Sequence, residues 1–133
     1  MNAYPKMAAM NGPDRFSLAF KRHSRYLEAH VTGERTQENG VRFLTGVYEE
    51  LAASGLRRVL LDVGFTGAFS PGNILQVIER TRFEGSQVER VGYTERNLPP
   101  KEARVVEVMA RNRGMNARYF PTREAAIEWL LAP

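Results

Sequence analysis

The sequence predicts an α/β fold in the order β-β-α-β-α-β-α-β-α, with a mixed, mostly parallel sheet of five strands and helices mainly on one face. Three observations predict it. Short apolar runs alternate with longer stretches whose apolar residues recur at helical spacing, and this alternation implies parallel strands joined by right-handed crossovers. The first two runs are separated by a link short enough for an antiparallel hairpin. The segment Arg57–Gly72, RRVLLDVGFTGAFSPG, reads as one complete unit of buried strand, exit loop and helix start.

In that segment Val59, Leu60 and Leu61 followed by Asp62 and Val63 form a partly β-branched apolar run, as expected of a covered strand. Gly64 to Phe69 carries two glycines and two phenylalanines without helical periodicity and is read as the loop leaving the strand. Ser70 is the candidate cap of the next helix. Pro71 follows with a suitable φ and no N–H to leave unpaired, and Ile74, Leu75 and Ile78 share one face.

The remaining elements follow in chain order. Residues 1–14 contain two prolines and three methionines and are expected to be a poorly ordered lead-in to a single domain, 15–133. Phe16, Leu18 and Phe20 alternate with Ser17, Ala19 and Lys21, the period of a half-buried strand. Tyr26 to Thr32 repeats the pattern, with Leu27, Ala29 and Val31 on one face and Tyr26, Glu28, His30 and Thr32 on the other. A strand spending every second position on such residues is not buried on both sides, so one sheet face is expected to be less covered. It is free to be solvated or to meet a second copy. A helix starts at Thr36 with Val41, Leu44, Val47, Tyr48 and Leu51 at helical spacing, and Gly55 is its stop. After the helix from Ser70 to about Arg82, Val88 to Tyr93 is a strand and Thr94 to Pro100 its exit loop. A proline-started helix buries Ala103, Val106, Met109 and Ala110. Ala117 to Phe120 is the last strand. Thr122 caps a final helix carrying Ile127, Leu130 and Leu131, with Trp129 as packing.

Composition narrows the function. At 133 residues and 43% hydrophobic the chain suits one soluble domain. It has no cysteine, which removes disulfides and thiolate metal sites. No apolar run is long enough to span a bilayer, and Met1 to Pro13 lacks the apolar stretch of a signal peptide, so a cytoplasmic protein is expected. The net charge of +4 is spread along the chain and interleaved with acids, as in Glu84 to Arg96, so nucleic-acid binding is not expected. His23 and His30 are the only histidines and have no carboxylate spacing of a metal site; surface or half-buried structural roles are expected, with no metal and no cofactor. Asp62 is expected to cap a loop by accepting backbone N–H bonds.

Loops at the carboxyl ends of parallel strands converge on one rim. That rim is the candidate binding site: Phe65, Phe69 and Tyr93 as apolar surface, with Thr66, Ser70, Thr94, Glu95, Arg96 and Asn97 as polar groups. Aromatic and arginine residues anchor protein interfaces, and the same mix could hold a small ligand. No nucleophile stands beside a base, so no catalytic residue is expected.

These residues carry a resemblance. Element order, VTGERT before a long helix, RRVLLDVG, and a loop ending in FSPGNIL together resemble the STAS domain superfamily, in its SpoIIAA-like group that includes the bacterial anti-sigma-factor antagonists. The resemblance covers nearly all the chain after Asp14. It implies a non-enzymatic regulatory domain with a protein partner. In the antagonists the corresponding loop reads Asp-Ser-Ser-Gly and its first serine is phosphorylated; placing that glycine on Gly72 makes Ser70 the implied switch. Phe69 stands at the acidic position and Pro71 at the second serine. The β-α arrangement is also similar to that of the larger SEC14-type lipid carriers, which implies the alternative of a small-ligand or lipid-binding domain.

Overall fold

The computed structural model describes residues 15–81 and 88–133, so the expected lead-in, 1–14, and the expected helix end near Arg82 lie outside the described residues. The elements are β1 (Phe16–Arg22), β2 (Leu27–Glu34), α1 (Gln37–Ser54), β3 (Arg58–Thr66), α2 (Pro71–Thr81), β4 (Arg90–Glu95), α3 (Pro100–Asn112), β5 (Ala117–Tyr119) and α4 (Arg123–Leu131). The five strands form one sheet in sequence order. β1 and β2 pair antiparallel from Phe16 opposite Gly33 to Arg22 opposite Leu27, and the remaining pairs are parallel.

The helix starts and stops follow local chemistry. The Thr36 hydroxyl accepts from the Asn39 N–H, and Gly55, at φ 75°, ends α1 in the left-handed region that glycine enters without a Cβ penalty. The Thr122 hydroxyl caps α4 through the Ala125 N–H. Several strand boundaries differ from expectation: β2 runs on to Glu34, β4 starts at Arg90 and β5 ends at Tyr119. β3 continues through Gly64, Phe65 and Thr66, which pair with Thr32, Gly33 and Glu34 of β2, and β4 continues through Thr94 and Glu95. Pairing with a neighbouring strand overrides the loop-like local composition.

Each of the three crossovers steps one strand further in the same direction, so their right-handedness places α1, α2 and α3 on one face. That face buries Phe16, Leu18 and Phe20 of β1, Leu27, Ala29 and Val31 of β2, and Val59, Leu61, Val63 and Phe65 of β3. α4 follows the last strand, has no further strand to reach, and packs on the opposite face against β3 and β4. There Ala126 and Leu130 join Tyr26 and Leu60 in a smaller cluster. The less covered face therefore has a roof over one half, and Tyr26 and Glu28, expected on its open side, are buried. Trp129 packs at that roof, with the Arg90 and Arg118 guanidinium groups each 5.5 Å from its ring centre.

α1 and α2 touch closely at Gly40, where an added Cβ would lie 2.7 Å from Val77 Cγ2. Alanine has the better helix propensity, by up to about 1 kcal/mol. The expected result of Gly40→Ala is nevertheless a loss of about 1–2 kcal/mol, because the side chain overpacks the helix contact. Urea unfolding decides the sign; a more stable variant would show that Val77 yields freely.

Candidate functional site

Successive residues of a strand point to opposite faces, and this divides the predicted rim in two. Phe65, Tyr93 and Glu95 turn toward α1–α3. Asp62, Thr94 and Arg96 gather on the other face. Phe65 and Tyr93, expected as apolar surface, are only 5% and 7% exposed and belong to the core. Phe69 and Ser70 are half-buried, and Thr66 and Asn97 are exposed.

On the helical side, the Glu95 side chain is fully buried and pairs with Arg35, whose side chain is 7% exposed. Arg35 Nη2 donates to Glu95 Oε1 at 3.1 Å and to the Phe65 carbonyl at 3.0 Å, and its Nε donates to the Gly67 carbonyl at 3.3 Å. The Tyr93 hydroxyl donates to Glu95 Oε2 at 3.1 Å. Burial, followed by the Glu95 charge, pushes the Tyr93 phenol well above its ordinary value. Asn97 closes the edge, its backbone N–H donating to Glu95 Oε1 and its amide to the Phe65 carbonyl. Behind this pair lies a cavity of about 120 Å³ under α2, lined mainly by apolar side chains of α1, β3, α2, β4 and α3. Ser70 and Asn73 stand at its margin. Ser70 performs its expected capping role, with Oγ accepting from the Asn73 N–H at 3.4 Å and the carbonyl accepting from the Ile74 N–H at 3.0 Å.

The opposite face carries a charged network. Glu28, 3% exposed, accepts from His23 Nε2 and His30 Nε2, each at 2.7 Å, and from Arg123 through Nε and Nη2 at 3.0 and 2.8 Å. His30 Nδ1 lies 2.9 Å from Asp62 Oδ2. Arg96 binds both Asp62 oxygens, at 3.0 and 2.9 Å. An ionised carboxylate only accepts, so His30, held between two of them, donates from both ring nitrogens as an imidazolium. The hydrogen bond to Glu28 raises the His30 pKa above its ordinary value; burial opposes this, and the Glu28 and Asp62 charges add to it. Burial alone would raise the Glu28 and Asp62 carboxyls, but their hydrogen bonds and cationic neighbours outweigh it and hold both below the usual carboxylate range.

Asp62 is thus held by side chains, chiefly Arg96 and His30, in place of the loop-capping role expected of it. His23 and His30 have half-buried structural roles as expected. Sequence reasoning missed Arg35, Glu28 and Arg123 as members of these clusters. Glu28 and His30, two apart on one strand, were a readable signal of a shared face; Arg123, 95 residues from Glu28, left none. Among the described residues no group of three or more His, Cys, Asp or Glu is placed to hold a metal ion. No described helix is long and apolar enough to cross a membrane.

No family model matches the chain, and no curated protein matches it in sequence. Solved structures do. The chain is similar to a protein of the DUF3478 family with a SpoIIAA-like fold from Shewanella loihica PV-4, at 15% identity and a TM-score of 0.54, over 92% of this chain and 99% of that one. It is also similar to an anti-sigma factor antagonist from Mycobacterium paratuberculosis, at 16% identity and a TM-score of 0.56, over 92% of this chain and 100% of that one. At these identities the likeness is one of fold.

Proposed function

We propose that this chain, with its SpoIIAA-like fold, is a regulatory protein-interaction domain of the cytoplasm that docks a protein partner at the start of α2 and is switched by modification of Ser70. The observation that carries the reading is the placement of Ser70: it caps α2, half-buried at the end of an exposed loop, in a fold shared with an anti-sigma factor antagonist. Thr66, Gly67 and Ala68 beside it are exposed, which leaves the loop accessible to a partner. The first turn of α2 contains no acidic residue. A phosphate on Ser70 would sit at the positive end of the helix dipole, beside the Asn73 N–H that Ser70 Oγ already accepts from, an interaction worth about 0.3–1 kcal/mol. The same phosphate would place new negative charge on the docking surface. Ser70 accepts from a backbone N–H and has no histidine or carboxylate partner among the described residues, which supports a binding role over catalysis.

The test is capture of a partner from the host with wild-type chain, Ser70→Ala and Ser70→Asp, beside intact-mass spectrometry of the native protein. The expected result is capture by the first two and capture weakened about tenfold or more, equivalent to about 1.4 kcal/mol, by Ser70→Asp. Equal capture by all three, with no phosphate on the native protein, removes the switch. A lipid-carrier role of the SEC14 kind has less support, because the cavity under α2 has room for about one ring and not for acyl chains. The half of the open face that α4 leaves uncovered offers a surface for a second copy, and native mass spectrometry reads whether the domain pairs.

A further inference from the structure

We propose that the cavity beneath α2 is a binding site for a neutral, apolar molecule of about one ring. This goes beyond the docking role of Ser70 and stands without it. The volume is about 120 Å³. Cavities of about 150 Å³ lined by Leu, Ile and Phe stay dry and take up benzene. Here the walls are Phe43, Leu61, Ile74, Val77, Val106 and Ala110, so water inside would find few hydrogen-bond partners while an apolar ring would fill vacant contacts.

The polar groups at the margin define the ligand by what they lack. Arg35 and Glu95 are committed to each other, and Tyr93 donates to Glu95. Glu107 accepts from the Tyr119 N–H at 2.8 Å, and the Asn73 side-chain oxygen accepts from Gln37 at 3.4 Å. A ligand carboxylate would lose its hydration without gaining a free cation, because Arg35 is already paired and Glu95 and Glu107 would repel it, which selects against negative charge. Ala68, Ser70 and Thr36 border the cavity at the α2 start, while the middle of the helix is pinned at the Gly40 contact. Of α2, Val77 and Ile78 are buried and Ile74 packs partly buried against the core, so the helix forms one wall of the cavity.

The test uses the full chain with labelled Ile, Leu and Val methyl groups, titrated with benzene and separately with benzoate by NMR. Benzene is expected to shift the methyls of Leu61, Val77 and Ile78 saturably and to leave those of Leu130, across the sheet, in place. Benzoate is expected to bind about tenfold or more weaker, having no counter-charge to meet. Ala110→Leu fills the cavity and is expected to remove the benzene shifts, with Val106→Phe as the second filling variant. The proposal is overturned if wild-type chain shows no saturable benzene shift, if Leu130 responds equally, or if the shifts survive in a folded filling variant. Equal binding of benzoate overturns the neutral class. Where both variants fail to fold, the wild-type titration, with Leu130 as its internal control, is decisive by itself.

Discussion

Glu95→Leu is expected to destabilise the domain by about 3–5 kcal/mol, a large share of the stability of a single domain. The reason lies in what remains. Arg35, with a side chain 7% exposed, would keep the Phe65 and Gly67 carbonyls as acceptors but lose its counter-charge, and the Tyr93 hydroxyl would lose its acceptor. An uncompensated buried charge is costly, whereas removing both charges for apolar groups of similar volume is often neutral. The double variant Arg35→Met/Glu95→Leu is therefore expected to recover most of the loss. Urea unfolding of the three chains gives the comparison, read from midpoints at a common slope. A single-variant loss below about 1 kcal/mol would mean that water reaches Arg35 and that the pair is not the closed structural joint described above.

The second large effect concerns Glu28. Its carboxylate accepts four charge-assisted hydrogen bonds, from His23, His30 and twice from Arg123. Glu28→Ala is expected to cost about 3 kcal/mol, moderated because His30 and Arg123 are exposed enough to recover water. The network also dictates a pH profile. Glu28 and Asp62 have lowered pKa values when folded, so their contribution is fully present above the ordinary values of 4.5 and 3.8 and is lost as pH falls through the folded ones. His30 has a raised value, so its contribution is present below the ordinary 6.5 and is lost as pH rises through the folded one. The network therefore favours the folded state most between about pH 4.5 and 6.5. Denaturant unfolding from acid to mildly alkaline pH is expected to show a decline on both sides of that window. His30→Gln should flatten the alkaline side, and Glu28→Ala should flatten both. An alkaline decline of the same steepness in wild type and His30→Gln would assign it to other groups.

Much of the architecture is written in short-range pattern. The alternation Phe16, Leu18, Phe20, the helical spacing from Val41 to Leu51, the Thr36 and Thr122 caps and the Gly55 stop each act over a few residues, and each appears in the fold where local chemistry places it. Ser70 is the same kind of signal, and it caps α2. Part of the rim comes together, Asn97 meeting both Phe65 and Glu95. Which side of the sheet each member would serve was not legible, because that depends on strand pairing continuing through Phe65 and Glu95, and the partner segment of β3 lies more than thirty residues away at Thr32 to Glu34.

What the sequence determined by itself is the order of elements and the handedness of the crossovers. Those follow from periodicity, capping and the handedness of parallel connections. That each crossover steps the same way, which puts α1, α2 and α3 on one face, is given by the strand order. Only the tertiary structure decided that α4 roofs the opposite face, that Arg35 meets Glu95 across 60 residues of sequence, that Arg123 reaches Glu28 across 95, and that a cavity remains under α2. Such pairings are chosen by which side chains the finished packing brings together away from water, and a charge buried by a distant helix leaves no periodic trace in its own neighbourhood.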